Sequence, residues 1–206
     1  VLKEAFQLDQ KLFSYVYNGV DPIFFKPIKK NIFKKKYKIN YPFILNVANI
    51  EKRKNQIELV KACNNLDIRL VIIGQIRDKE YYKKILISDK KKLVTIISSI
   101  KHNTIDLRSA YSACTHFVLP SILETPGLSS LEAAAQGKNV LITSEGSANE
   151  YFLKNVTYCS GSNLQNKLKQ LLKKKEVTNL ILQAKIRKFE WSNCVLKLID
   201  LYRSLL

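Results

Sequence analysis

Short, almost unbroken apolar runs recur along this chain, and the gap between each pair has room for a helix. The runs are 42–49, 69–73, 93–97, 115–119 and 139–143, with a last short one over 156–159. A strand that is apolar at every position has to be buried on both faces, and a parallel sheet covered by helices on each side does that. The intervening stretches 56–64, 79–87, 105–114 and 128–136 have helical character. In one of them Leu107, Ala110, Tyr111 and Cys114 fall at i, i+3, i+4 and i+7, one face of a helix. The fold expected is therefore α/β, a doubly wound parallel sheet. Leu164, Leu168, Leu171 and Leu172 mark a further helix, and Val195, Leu198, Ile199 and Tyr202 a last one. At the other end, Leu2, Ala5 and Phe6 make a short helical pattern, and 13–17 is expected to be a strand.

The 206 residues suit one α/β domain with a full core, or one large domain with a remnant attached. The chain lacks an initiator Met, and the reading is of a fragment; no apolar run approaches the ~20 residues of a membrane span. Cys63, Cys114, Cys159 and Cys194 are scattered in periodic or strand-like segments, which fits reduced core thiols in a cytoplasmic protein. His102 and His116 stand alone, so no metal cluster assembles around them. The net charge of +18 comes mainly from lysine and is densest in the block from Lys26 to Lys38. A solvated basic face and a contact with anionic lipid at an inner membrane surface both fit that block. No nucleic-acid module motif accompanies it, so nucleic acid is not the expected partner.

Chemistry concentrates in 120–137, between the apolar runs 115–119 and 139–143. This unit reads as strand, loop, helix, strand, with Pro126-Gly127 turning the loop and Gly137 ending the helix. Ligands of open α/β sheets sit at the carboxyl ends of strands, and the free N–H groups opening a helix suit a diphosphate. Glu124 and Glu132 flank that point. Ser129-x-x-Glu132 also has the spacing of a capping box, which gives Glu132 a purely structural alternative.

The run Pro-Ser-x-x-Glu…Gly-Leu-x-x-Leu-Glu-Ala resembles the signature of retaining family-4 (group 1) glycosyltransferases of the GT-B fold. The resemblance implies that Glu124 faces the transferred sugar, as the catalytic carboxylate, and that Glu132 takes the ribose hydroxyls. Pro126, Gly127, Leu128 and Ser129 would lie along the donor. Where the family most often has Glu-Gly-Phe-Gly, this chain has Glu124-Thr-Pro-Gly127. In the loop after the first run the family commonly has Gly-Arg at Ala48-Asn49. Here that Arg is absent, and Arg53 and Lys54 are the cations expected on the diphosphate. In the loop after the third run a family glycine lets the base lie against the backbone; Ser98 stands there and is small, while His102 reads as an ordinary loop histidine or a donor contact. Asn18-Gly-Val-Asp21 resembles the family's interdomain linker, Glu150 its further acidic position, and Phe189-x-Trp191 its C-terminal motif.

The division implied is 1–22, end of an N-terminal acceptor domain and linker; 23–190, a nucleotide-sugar-binding Rossmann-like domain; and 191–206, a helix crossing back. The activity implied is transfer of a sugar, with retention, from a UDP- or GDP-sugar to an acceptor hydroxyl in bacterial-type surface polysaccharide or glycolipid synthesis. The resemblance implies no cofactor and no metal at the site, in keeping with the absence of an Asp-x-Asp motif. A dehydrogenase would share the fold, but no G-x-G-x-x-G is present. A non-catalytic basic module for anionic lipid or nucleic acid is the other alternative.

Overall fold

The computed structural model describes residues 13–175 and 178–204. Six strands form one all-parallel sheet: β1 (Ile44–Val47), β2 (Leu70–Ile73), β3 (Val94–Ile97), β4 (His116–Leu119), β5 (Asn139–Thr143) and β6 (Thr157–Cys159). Their spatial order is β3-β2-β1-β4-β5-β6, so the direction of winding reverses between β1 and β4. The expected doubly wound sheet is the one found.

The apolar runs are continuous because successive residues feed two different cores. Val71, Ile73, Phe117, Leu119, Val140 and Ile142 point into one, with Phe24, Phe33, Phe43, Tyr111 and Phe152. Ile44, Leu70, Ile72, Val118 and Leu141 point into the other, with Leu59, Ile85 and Leu168. Pleating sends alternate side chains to opposite faces, and both faces are covered. All four cysteines are buried and none forms a disulfide. Burial pushes the Cys159 thiol up to about 12 and the Cys63 thiol higher still.

In chain order the helices are α1 (Asn31–Lys36), α2 (Gln56–Leu66), α3 (Lys79–Ser88), α4 (Ile105–Ala113), α5 (Leu128–Ala135), α6 (Ala148–Phe152), α7 (Leu164–Leu172), α8 (Leu180–Ile186) and α9 (Trp191–Arg203). Asp78 and Thr104 accept backbone N–H bonds as the N-caps of α3 and α4. Gly137, at φ +70°, closes α5: its N–H reaches Ala134 and that of Lys138 reaches Ala133.

Several expectations change. Residues 13–17 are not a strand: Tyr17 packs its ring against Tyr151 and Phe189, while Phe13 and Tyr15 stay exposed. The pattern on Leu2, Ala5 and Phe6 lies outside the described residues. The lysine block contains α1, held down by buried Phe33, whose N–H donates to Ser109 Oγ at 2.9 Å. Lys36 pairs with Asp106, and the other lysines of the block face solvent or are partly covered.

The first and last parts of the described chain are clasped together. Val20 and Glu190 form a parallel bridge, with Val20 N–H donating to Phe189 O at 2.8 Å and Trp191 N–H to Val20 O at 3.1 Å. A side chain at Gly19 would strike Trp191 at 2.7 Å. The two motifs 18–21 and 189–191, far apart in sequence, thus meet in one seam. Among the described residues no helix is long and apolar enough to cross a membrane.

Candidate functional site

A cleft of about 550 Å³ opens at the carboxyl ends of β1 and β4, where the winding reverses. Its walls include Ala48 and Asn49 after β1, Gly74 and Gln75 after β2, Ser99, Ile100 and His102 after β3, and 124–129 with Glu132 after β4. Gly74 sits so close to the neighbouring loop that a Cβ there would lie 1.8 Å from Ala48 O.

Three contacts tie the loop after β1 to the loop after β4. Ile122 N–H donates to Arg53 O at 2.9 Å, Asn55 Nδ2 to Pro120 O at 3.2 Å, and Arg53 Nη1 to Leu123 O at 3.3 Å. Asn55 adopts φ 55°, a left-handed backbone that asparagine tolerates, and so turns the chain into α2. This stitching brings Lys54 Nζ to 2.5 Å and Arg53 Nη1 to 3.9 Å from Glu124 Oε1. The Lys54 and Glu124 side chains are only 11% and 7% exposed, whereas Arg53 is half exposed and also reaches Glu51 at 3.1 Å. The Lys54–Glu124 pair is thus the shielded one, and Coulomb attraction there is far less screened than at the surface.

Glu124 is held from behind through its backbone. Its N–H donates to Glu145 O at 3.1 Å, and its carbonyl accepts from Ser147 N–H at 3.0 Å. Gly146 between them has φ +102°, and a Cβ there would come within 2.1 Å of Glu124 O. The Thr125–Pro126 peptide is cis, and Gly127, at φ +76°, is the N-cap of α5.

Glu132 lies on the first turns of α5 and is buried. Its Oε2 accepts from Tyr111 Oη–H at 2.5 Å, and its Oε1 shares a hydrogen bond with His102 Nε2 at 2.7 Å. The capping-box alternative is set aside: α5 is capped by Gly127 with no side-chain cap bond, and Glu132 turns to α4 and the loop after β3. The Glu132 carboxylate holds the His102 imidazole above its ordinary value. Burial, and then the nearby Glu132 charge, push the Tyr111 phenol well above its own.

Of the residues expected at a site, Arg53, Lys54, Glu124, Pro126, Gly127, Leu128, Ser129 and Glu132 all line this one cleft. Ser98 does not; Ser99 and Ile100 stand in the wall instead. Tyr111, read from sequence only as a core position on α4, is the residue missed, because its partner is apparent only once α4 and α5 are packed. Among the described residues no group of three or more His, Cys, Asp or Glu is placed to hold a metal ion.

A parallel sheet covered by helices on both faces, with a cleft at its switch point that gathers two buried carboxylates and two cations beside a helix start, defines a Rossmann-like α/β domain. More specifically, residues 28–188 match the family of glycosyl transferases group 1, and the chain belongs to that family. The structure is similar to a glycosyltransferase from Rickettsia africae ESF-5, with TM-score 0.84 at 20% identity over 98% of this chain and 60% of that one. It is also similar to HepE from Anabaena, solved in complex with UDP-glucose, with TM-score 0.79 at 18% identity over 95% and 58%. Sucrose-phosphate synthase from Thermosynechococcus elongatus gives 0.77 at 22% over 91% and 51%. The chain thus spans 51–60% of the length of these three proteins. No curated protein matches the chain by sequence.

Proposed function

We propose that this chain is the donor-binding part of a retaining, family-4 glycosyltransferase that takes a sugar from a nucleoside diphosphate. One observation carries the reading: Lys54 and Arg53 stand against Glu124, while Glu132 lies a few residues into the same helix start, all in one cleft. In this reading the diphosphate lies across Lys54, Arg53 and the opening of α5 at Gly127, Leu128 and Ser129, with Pro126 setting the turn. Glu124 faces the sugar, and Glu132 accepts from the ribose hydroxyls. The residues after β3 receive the base; Ser99 and Ile100 take the place first expected of Ser98. Negative charge grows on the departing diphosphate during transfer, so fixed cations and helix N–H donors lower the barrier directly. Such a site carries out the transfer without a metal ion. UDP- and GDP-sugars are the proposed donors, and the complex of HepE with UDP-glucose supports the first.

The acceptor side belongs to the remainder of a GT-B enzyme. Residues 1–22 would be the end of an N-terminal domain and its linker, 23–190 the donor domain, and 191–206 the helix returning to that partner domain. Bacterial-type surface polysaccharide or glycolipid synthesis in the cytoplasm is the proposed setting. The solvent-facing lysines from Lys26 to Lys38 suit peripheral contact with an anionic inner membrane surface.

The test is titration of the chain with UDP, GDP and ADP in the presence of a chelator. One nucleotide is expected to bind, and Glu132→Gln to lose about 10- to 150-fold in affinity through weakened charge-assisted bonds. Binding that needs a divalent ion, or a Glu132→Gln variant that binds like the parent, overturns the assignment.

A further inference from the structure

The structure assigns Tyr111 as the positioning residue that aims Glu132 into the cleft; this rests on the reading of Glu132 as the ribose acceptor. Tyr111 is fully buried and does not line the cleft, so it touches no ligand there. Its hydroxyl nevertheless reaches Glu132 Oε2 at 2.5 Å, a short, charge-assisted bond. The ring has no freedom to retreat. Phe24 packs edge-on at 5.8 Å and Phe117 tilted at 5.7 Å, both at 0% exposure.

A glutamate carboxylate is otherwise free to turn, since its terminal torsion has a broad energy profile. Anchoring Oε2 from behind fixes the plane of the group and leaves Oε1 for what lies in front. What lies in front in this structure is His102 Nε2, at 2.7 Å, on a side chain 59% exposed. One partner is therefore buried and permanent, and the other is exposed and exchangeable. A ribose diol that arrives at Glu132 takes over the His102 position while Tyr111 keeps its bond. The phenol remains a donor at every working pH, because burial and the neighbouring carboxylate hold its proton.

Tyr111→Phe keeps the ring and removes only the donor. The test compares UDP and GDP with their 2′,3′-dideoxy counterparts on the parent chain and on Tyr111→Phe. A ribose-reading parent is expected to prefer the ribonucleotide by about tenfold or more, and Tyr111→Phe to lose most of that preference. Binding of the dideoxy nucleotide should be nearly the same in both proteins. A residue needed only for packing would move stability, or both affinities together, without moving their ratio. A parent that discriminates beside a Tyr111→Phe variant with the full ratio removes the Tyr111 assignment alone. A parent that binds nucleotide without discriminating removes the ribose reading of Glu132, and the Tyr111 assignment falls with it.

Discussion

The ion pair between Lys54 and Glu124 makes each the other's competitor for a ligand. The family resemblance implies that Glu124 concerns only the sugar, so that Glu124→Gln would leave free nucleotide binding unchanged. The 2.5 Å contact predicts something else. Glu124→Gln strands a largely buried ammonium, destabilising the unliganded chain by about 1–3 kcal/mol. The same stranded charge binds a diphosphate more strongly, so affinity for free UDP or GDP should rise about three- to tenfold. Parallel thermal melts and nucleotide titrations check this; an unchanged or weakened affinity removes the competition. His102 offers a pH-dependent counterpart. Glu132 is the main group raising its pKa, with Asp21 and Asn103 adding to it and partial burial opposing. The His102–Glu132 pair is therefore complete below the ordinary imidazole pKa of ~6.5 and is lost as pH rises through the raised folded value. If ribose displaces His102, binding releases a proton, and affinity should rise with pH across that window. Titrations of the parent and His102→Gln at several pH values isolate the effect, since the nucleotide's own ionisation is common to both. Equal pH slopes for the two proteins would exclude displacement.

At the level of elements, the loops are shaped by a few backbone positions that admit no side chain. Gly146→Ala should cost roughly 3 kcal/mol, because its φ is left-handed and the added methyl meets the Glu124 carbonyl. Gly161→Ala, with nothing within 4 Å of the new atom, should stay within about 0.5 kcal/mol of the parent. Chemical denaturation of both variants checks the contrast, and a silent Gly146→Ala would mean that the 145–147 loop does not clamp Glu124. The strands and most helices were legible in the chain itself, because a doubly covered parallel sheet writes its burial into unbroken apolar runs. The rest was hidden for separate reasons. One buried aromatic, Phe33, anchors α1 inside a lysine-rich block, too little to show as a periodicity. The aromatic alternation of 13–17 resembles a strand, yet no sheet edge receives it. Which serine after β3 reaches the cleft depends on a one-residue register. The bonds from Tyr111 and His102 to Glu132 join separate elements and leave no mark in local spacing. That Glu124, Glu132, Arg53 and Lys54 would share one cleft could be expected, because a family motif carries the two glutamates and a diphosphate's need for cations points to the other two.

At the scale of the whole molecule, α9 leaves Val195, Leu196, Leu198, Ile199 and Tyr202 substantially exposed, an apolar face of the kind a neighbouring domain covers. With the acceptor side proposed to lie outside it, the chain by itself is expected to hydrolyse a bound nucleotide-sugar slowly and to transfer no sugar to an acceptor alcohol. Product analysis by chromatography decides the point, and efficient transfer by this chain alone would show that the acceptor site is within it. The seam between Val20 and Glu190 has a mechanical consequence. The two segments run parallel, so the chain arrives at one end of the seam and departs from the other. Tension between residue 13 and α9 therefore loads the two backbone hydrogen bonds and the Gly19–Trp191 contact in shear, together, instead of peeling them one at a time. All six strands lie between the clasped residues and are shielded by the seam, while Tyr17 and Asn18 pass part of the pull to Tyr151 on α6. A moving partner attached to α9 would tug on the seam, whereas one attached ahead of residue 13 would reach Asn18 in the cleft wall before it reached the clasp.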